Sequence, residues 1–167
     1  MKVLVTGAGS QVGWELQNQA VLYDVDLDAL DRKSLDITNT EAINEQVMKY
    51  NPDIIVNTAA FTSVDRAEKE DSLAYEVNCI GVRKLADICK KMSIILIHIS
   101  TDYVFNGLQE EPYNEEDLID PINVYGRTKW DGEEAIRSIL DSHIILRTSW
   151  VFGIQGNNFV KTIIDLA

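Results

Sequence analysis

Four short apolar runs, rich in β-branched residues, are spaced along the chain at residues 3–5, 54–56, 94–99 and 144–146. Polar or turn residues bound each run, which is typical of strands buried on both faces of a parallel sheet. The segments between them have helical spacing, over residues 12–20, 41–50, 73–92 and 125–140. Strands that alternate with helices of this size predict βαβ units and hence an open α/β sheet.

A fifth segment, residues 25–30, has a mixed pattern. Asp24, Asp26 and Asp28 alternate with the apolar residues between them. A strand buried on both faces would not carry three carboxylates. The segment is therefore either a strand near an exposed edge of the sheet or partly a loop.

Composition narrows the classes of partner. The 167 residues carry a formal net charge of −12, which opposes binding to nucleic acid or to an anionic membrane. A small anionic ligand is not excluded, because a helix terminus and a few cations can hold it. Cys79 and Cys89 show neither a CxxC motif nor a zinc-site spacing, so we expect no metal and two reduced thiols of a cytoplasmic protein. We expect no signal peptide or membrane span, because the apolar runs are too short.

The segment at residues 6–13, TGAGSQVG, follows the first predicted strand and opens the first predicted helix. Its glycines allow a tight turn and a close approach of the backbone to a pyrophosphate at the helix N-terminus. Ser10 and Val12 stand where common glycine patterns would have glycine. Asp31 would bind an adenosine ribose hydroxyl and Arg32 would favour a 2′-phosphate, so NADH and NADPH both stay open.

Tyr125 and Lys129 lie four residues apart and would share one face of a helix. A nearby cation stabilises a phenolate, so this tyrosine could exchange protons nearer neutrality than its ordinary pKa of about 10 allows. Thr101 follows the third apolar run, at the sheet edge where ligands of open α/β sheets bind. Trp150 follows the fourth run, at the carboxyl end of that predicted strand, where core packing and contact with a sugar or base are equally good interpretations.

Four motifs resemble one known family. They are NTAAFTSVDRAE at residues 57–68, STDYVF at 100–105, the YGxxKxxGE pattern at 125–133 and RTSWVFG at 147–153. They are similar to motifs of the extended short-chain dehydrogenase/reductase family, and within it of the dTDP-4-dehydrorhamnose reductases. The similarity extends over essentially the whole chain.

The resemblance implies a Rossmann-type doubly wound parallel sheet with helices on both faces. It implies NADPH- or NADH-dependent reduction of the C4 ketone of dTDP-4-dehydro-L-rhamnose, a dTDP-4-keto-6-deoxy sugar, to dTDP-L-rhamnose, a step of polysaccharide biosynthesis. Tyr125 would protonate the forming alkoxide, Lys129 would tune Tyr125 and bind the ribose, and Thr101 would hold the substrate oxygen.

The resemblance also implies two sets of binding residues. The substrate set is Thr101, Asp102, Tyr103 and Trp150. The cofactor set is Gly7, Ser10, Gln11, Val12, Gly13, Asp31, Asp36, Ile37, Ala60, Phe61, Thr62, Ile99, Tyr125 and Lys129.

Two departures from the family pattern carry expectations. Ser10 replaces the middle glycine of the loop, which could strain the turn. Family members also continue beyond residue 167 with a smaller domain that supplies substrate and dimer contacts. We therefore expect residues 1–167 to be an NAD(P)-binding Rossmann domain without that C-terminal substrate domain, able to bind dinucleotide but impaired in reduction. A homodimer is left open.

Two other functions are alternatives. The regulatory subunit of methionine adenosyltransferase resembles these reductases and uses the fold to bind a partner without catalysis. Another nucleotide-sugar epimerase or epimerase-reductase would share the tyrosine and lysine. Such enzymes would not be expected to carry both STDYVF and RTSW.

Overall fold

The computed structural model describes residues 1–166, and all four apolar runs form strands within a single parallel sheet. A fifth strand joins them, and the spatial order of the five is 2-1-3-4-5. The strands are β1 (Lys2–Thr6), β2 (Asp26–Leu30), β3 (Ile54–Asn57), β4 (Ile95–Thr101) and β5 (His143–Thr148).

Helices connect the strands in the predicted alternation. They are α1 (Gln11–Leu22), α2 (Thr40–Tyr50), α3 (Val64–Ala67), α4 (Asp71–Tyr75), α5 (Val82–Met92), α6 (Val124–Ile139) and α7 (Phe159–Leu166). A π-helical segment (Glu76–Gly81) joins α4 to α5, and a 3₁₀ turn (Asp102–Val104) follows β4. None of the helices within residues 1–166 combines the length and apolarity that a membrane crossing requires.

The doubtful segment at residues 25–30 is the edge strand β2, which pairs with β1 along one side. Within residues 1–166 its other side has no strand neighbour, and the Asp26 carboxylate is exposed. Tyr50 of α2 donates a hydrogen bond from its hydroxyl to Asp26 Oδ1 at 2.9 Å. The edge position therefore explains how a strand of this parallel sheet can carry carboxylates.

Both faces of the sheet carry helices, which confirms the doubly wound fold. Leu4, Ile55 and Leu96 pack on one face against α2, α5 and α6. On the other face Val3, Val5 and Val56 pack against Leu16 of α1. The second face is less covered toward β5, where Ile144 and Leu146 remain about half exposed.

The predicted helix over residues 73–92 is interrupted by the π-helical segment. The π-helical segment adds a residue to a turn, which changes the face that each later position presents. Leu73, before the segment, is exposed, whereas Leu85 and Ile88, after it, are buried. The segment also turns the polar side chain of Asn78 into the interior.

The strand order reverses at β1. The next strand in the chain, β2, lies on one side of β1, and the later strands β3, β4 and β5 lie on the other side. In open α/β sheets, the crevice at such a switch point, beyond the carboxyl ends of the strands, is the usual ligand site.

Candidate active site

Two adjoining clefts, of about 720 and 390 Å³, open at the carboxyl ends of the strands. They share Gly9, Ser10, Thr58, Ala60 and Thr62. The predicted site residues in the larger cleft are Ser10, Gln11, Val12, Ala60, Thr62, Ile99, Thr101, Asp102, Tyr103, Tyr125, Lys129 and Trp150. Those in the smaller cleft are Gly7, Ser10, Asp31, Asp36, Ile37, Ala60, Phe61 and Thr62.

Gly13 is the one predicted site residue that lines neither cleft. A Cβ atom built there would lie 2.5 Å from the Gly7 carbonyl oxygen, so this glycine lets α1 start close against the loop. Gly13 therefore has a packing role at the start of α1. Gly7 adopts φ +74°, a conformation that favours glycine.

Ser10 does not strain the turn, contrary to the expectation. Its backbone is extended, and its Oγ accepts a hydrogen bond from the Gly13 N–H at 2.9 Å. The same hydroxyl lies 2.8 Å from Thr58 Oγ1 at the end of β3. Ser10 is therefore the N-cap of α1 and ties the loop to the neighbouring strand.

The loop leaves room for an anionic group. A Cβ atom built on Gly9 would meet no atom within 4 Å, so the space above the loop is open. Gln11 and Val12 begin α1, where helix geometry gives their backbone N–H groups no carbonyl partner. Both residues line the larger cleft. These features fit the pyrophosphate of a dinucleotide.

The smaller cleft presents charges of both signs. Asp31 Oδ1 accepts the Ser34 N–H at 2.9 Å, and this hydrogen bond lowers the pKa of its carboxyl. Asp36 lies 3.2 Å from the Arg32 guanidinium. Burial opposes ionisation of Asp36, but hydrogen bonds from Thr38 and Arg32 leave its pKa below the usual value. Arg32 remains largely exposed at the cleft wall.

Thr101 and Tyr125 face the larger cleft together. The Oγ of Thr101 accepts the Tyr103 N–H at 3.2 Å and so caps the 3₁₀ turn. Burial raises the pKa of Tyr125, and a hydrogen bond with the Thr101 side chain opposes that rise in part. The expected lowering of the Tyr125 pKa by Lys129 is therefore not what the structure shows: burial raises this pKa, and Asp102 and Tyr103 add to the rise.

Lys129 is almost completely buried on the inner wall of the larger cleft. Its Nζ donates a hydrogen bond to the Ile99 carbonyl at 2.7 Å and lies 3.2 Å from His98 Nε2. Burial lowers the pKa of this amine to about 8, against an opposing effect of Glu133. The amine of Lys129 therefore contacts two groups of β4, while the residue also lines the larger cleft.

The sequence did not reveal two groups of supporting residues. His98 of β4 is fully buried, and no sequence motif indicates its contact with Lys129. Asn78 accepts a hydrogen bond from the Phe61 N–H at 2.8 Å and donates one to Thr128 Oγ1 at 3.1 Å. Asn78 thus connects Phe61, in the wall of the smaller cleft, to α6. The π-helical segment that carries it has no signal in composition.

Trp150 is 73% exposed at the cleft mouth, which decides against core packing. Its backbone has φ 53°, uncommon outside glycine, and its ring meets Phe159 edge-on at a centroid distance of 4.9 Å. With Asp102 and Tyr103 it also lines a third hollow of about 400 Å³. These three side chains can therefore contact a ligand that extends out of the larger cleft. Within residues 1–166 no group of three or more His, Cys, Asp or Glu side chains is arranged to hold a metal ion.

Comparison with known proteins identifies the family. The family described as RmlD substrate binding domain matches residues 1–167. A spore coat polysaccharide biosynthesis protein, SpsK, of Bacillus subtilis is 46% identical over 99% of this chain and 59% of its own length. A dTDP-4-dehydrorhamnose reductase of Aggregatibacter actinomycetemcomitans is 46% identical over 99% of this chain and 57% of its own length. The chain thus spans somewhat more than half the length of these relatives.

Solved structures agree with the fold. A dTDP-4-dehydrorhamnose reductase of Bacillus anthracis in complex with NADP matches with a TM-score of 0.95 at 44% identity, over 99% of this chain and 59% of that one. A UDP-glucose 4-epimerase of Thermus thermophilus matches with a TM-score of 0.87 at 20% identity, over 99% of this chain and 61% of that one, and shares the fold alone. The family match covers residues 1–167, and two relatives are 46% identical to the chain. This chain therefore belongs to the RmlD family, and several of the family members that it resembles are dTDP-4-dehydrorhamnose reductases.

Proposed function

We propose that the protein reduces the C4 ketone of dTDP-4-dehydro-L-rhamnose with NADPH or NADH and so takes part in dTDP-rhamnose biosynthesis. The observation that carries this proposal is that Thr101, Tyr125 and Lys129 lie together in the larger cleft, which adjoins the smaller cleft at the glycine loop. The 46% identity to a dTDP-4-dehydrorhamnose reductase supports the choice of substrate.

The cofactor would lie across both clefts. The α1 N-terminus with Ser10, Gln11 and Val12 would hold the pyrophosphate, and Gly7 would allow its approach. The smaller cleft, with Asp31, Asp36, Ile37 and Phe61, would take the adenosine half. Ala60, Thr62, Ile99, Tyr125 and Lys129 would line the nicotinamide half. When bound, a reduced nicotinamide supplies the hydride for C4 of the sugar.

Tyr125 would supply the proton that the new alkoxide needs. Because burial raises the pKa of its phenol, the residue stays protonated at neutral pH and is ready to donate. Thr101, which lines the same cleft as this phenol, would orient it and hold the substrate oxygen. Asp102, Tyr103 and Trp150 at the cleft mouth would contact the sugar.

The chain spans 57–59% of the length of its similar relatives, so the assignment of residues 1–167 as the cofactor-binding domain is part of the proposal. A homodimer and a cytoplasmic location are included in it. The two free, buried thiols, Cys79 and Cys89, fit a reducing compartment.

The regulatory alternative does not require a catalytic group in the cleft. The presence of Thr101, Tyr125 and Lys129 together therefore favours catalysis over a binding role like that of the methionine adenosyltransferase regulatory subunit. The epimerase alternative has less support, because the matching epimerase structure from Thermus thermophilus is 20% identical.

The test is oxidation of NADPH or NADH, followed by absorbance, in the presence of the dTDP-4-keto sugar. Replacing Tyr125→Phe removes the proton donor and should lower turnover by roughly 10²–10⁴-fold while dinucleotide affinity is kept. Tyr23→Phe is the control, because Tyr23 is exposed and lines neither cleft. Unchanged turnover in Tyr125→Phe would contradict the proposal. Because residues 1–167 are expected to be impaired in reduction, the regulatory alternative is favoured only if a chain extended past residue 167 also binds dinucleotide without turnover.

A further inference from the structure

A continuous row of buried polar side chains lies behind the larger cleft and crosses three strands to reach α6. Thr6 Oγ1 of β1 donates to Asn57 Oδ1 of β3 at 2.6 Å. Asn57 Nδ2 lies 2.9 Å from His98 Nδ1 of β4, and His98 Nε2 lies 3.2 Å from Lys129 Nζ. Each of these side chains is almost fully buried, so their hydrogen bonds must be satisfied by other protein groups.

A backbone group fixes the direction of this row. The Ala59 N–H, which can only donate, points at Asn57 Oδ1 at 3.1 Å. The oxygen of the Asn57 amide is therefore on that side, and its NH₂ group faces His98 Nδ1 as a donor. His98 Nδ1 must then accept, so a neutral imidazole carries its proton on Nε2.

The charge state of His98 follows from its surroundings. The ring is fully buried, and burial lowers its pKa well below the usual value. A neutral ring with its proton on Nε2 directs an N–H at Lys129 Nζ. An ammonium group has three N–H donors and no lone pair, so it cannot accept this bond. A neutral amine accepts it and still donates to the Ile99 carbonyl.

We propose that Asn57 and His98 are positioning residues that act on the active site through Lys129: Asn57 fixes the Nε2–H tautomer of His98, and that N–H favours the neutral amine of Lys129. His98 contacts Lys129 but lines neither cleft, so it is not itself a proton donor to substrate. The lowered pKa of Lys129, about 8, agrees with this arrangement.

Other charged groups around Lys129 do not cancel the effect. Glu133, one turn further along α6, raises the lysine pKa, but its carboxylate is held by Arg147 at 2.7 Å and by Arg137 at 2.8 Å. Tyr125 on α6 is a neutral phenol. Asp102 and Tyr103 of the 3₁₀ turn line the same cleft, and they have no hydrogen bond to the amine among the described residues.

The consequence for catalysis rests on the function proposed above. A lysine that gains its charge near neutral pH, and not near pH 10, makes the charge at the nicotinamide end of the cleft depend on pH in the working range. The tautomer itself is a property of the ligand-free protein.

The first test reads the tautomer directly in the ligand-free full chain. Nitrogen-15 NMR of labelled histidine should show a protonated Nε2 and an unprotonated Nδ1 for His98, and this tautomer should not change between about pH 6 and pH 9. The His143→Gln variant assigns the two histidine signals. A protonated Nδ1, or a charged ring at pH 7, would overturn the proposal.

The second test follows the titration of Lys129 through its ¹³Cε signal. His98→Leu removes the donor and should raise the midpoint of Lys129 by about one pH unit, a tenfold gain in proton affinity. In His98→Gln the new amide can still accept a hydrogen bond from Asn57 and donate one from its NH₂ group to Lys129. The titration midpoint of Lys129 in this variant should therefore stay near that in the unmodified protein. Equal midpoints in all three proteins would refute the role of His98.

If the His98→Leu variant does not fold, the tautomer measurement on the unmodified protein decides the proposal alone. Neither measurement uses turnover. If the chain has the expected tautomer and titration, and a version extended past residue 167 reduces no sugar, the proposed function is refuted and the positioning network stands.

Discussion

At the scale of the residue, Lys129 couples the site to stability. Its amine binds fewer protons in the folded chain than in the unfolded chain between its folded pKa of about 8 and the ordinary value of about 10.4. Since stability rises with pH wherever the unfolded state binds more protons, the lysine should weaken the fold below pH 8, and this cost should disappear as the pH rises toward 10.

Lys129→Met removes this titration. The difference in free energy of unfolding between the unmodified protein and the variant should shift toward the unmodified protein by roughly 3 kcal/mol from pH 7 to pH 10. Urea denaturation at both pH values measures it. Lys69→Met, at an exposed position, is the control and should show no such shift. A pH-independent difference for Lys129→Met would mean that the buried amine titrates normally.

Arg32 should influence the choice of cofactor. Its guanidinium is largely exposed at the wall of the smaller cleft, whereas the nearby Asp31 carboxylate is already hydrogen-bonded to the Ser34 N–H. Within the proposed function, Arg32→Ala should weaken NADPH binding about tenfold relative to NADH, because a charge-assisted bond to the 2′-phosphate is lost.

Fluorescence titration with both dinucleotides measures this ratio. Arg83→Ala removes an exposed arginine of α5 that lines neither cleft, and it should leave the ratio unchanged. An equal loss of affinity for NADPH and NADH in Arg32→Ala would show that Arg32 does not contact the 2′-phosphate.

Residue spacing predicts some of the site and misses the rest for a physical reason. Tyr125 and Lys129 are four residues apart on one helix, so local geometry alone brings them to the same cleft. His98 and Lys129 belong to a strand and a helix, and their contact depends on how α6 packs on the sheet. No local pattern encodes that packing.

At the scale of the element, the close crossing of α6 and the π-helical segment should be sensitive to added volume. A Cβ atom built on Gly132 would lie 2.1 Å from the Asn78 carbonyl oxygen, which is backbone and cannot move freely. Gly132→Ala should lower the free energy of unfolding by about 1–3 kcal/mol, although alanine is favoured in a helix.

Gly9→Ala is the matched control, because its Cβ would meet nothing within 4 Å. Urea denaturation should show nearly unchanged stability for this variant. Dinucleotide binding should nevertheless weaken, since the new methyl group occupies the space proposed for the cofactor. Equal stability of Gly132→Ala and the unmodified protein would mean that α6 can move away from Asn78 at little cost.

Four of the five strands were predictable because each contains a short apolar run, rich in β-branched residues, between polar residues. The edge strand β2 has no such run, and its sequence left strand and loop both open. The π-helical segment was not predictable, because one additional residue in a turn changes no residue preference. Asn78 can be recognised only after the segment turns it inward, toward Phe61 and Thr128.

At the scale of the whole molecule, the two faces of the sheet are covered unequally. In the part of the chain that the structure describes, α2, α5 and α6 cover one face, and α1 packs over β1 and β3 of the other. Ile95, Ile144 and Leu146 of β4 and β5 remain 41%, 50% and 46% exposed. Contiguous exposed apolar strands of this kind promote association.

This chain should therefore self-associate through the strip formed by Ile95, Ile144 and Leu146. The double variant Ile144→Thr and Leu146→Thr keeps the strand preference while removing apolar surface, so it should lower both the concentration dependence of sedimentation and the fluorescence of an apolar dye. Leu108→Thr is the control, because Leu108 is 84% exposed and lies outside the strip. A monomer at all concentrations that binds no dye would show that this face is covered by a rearrangement within the chain itself.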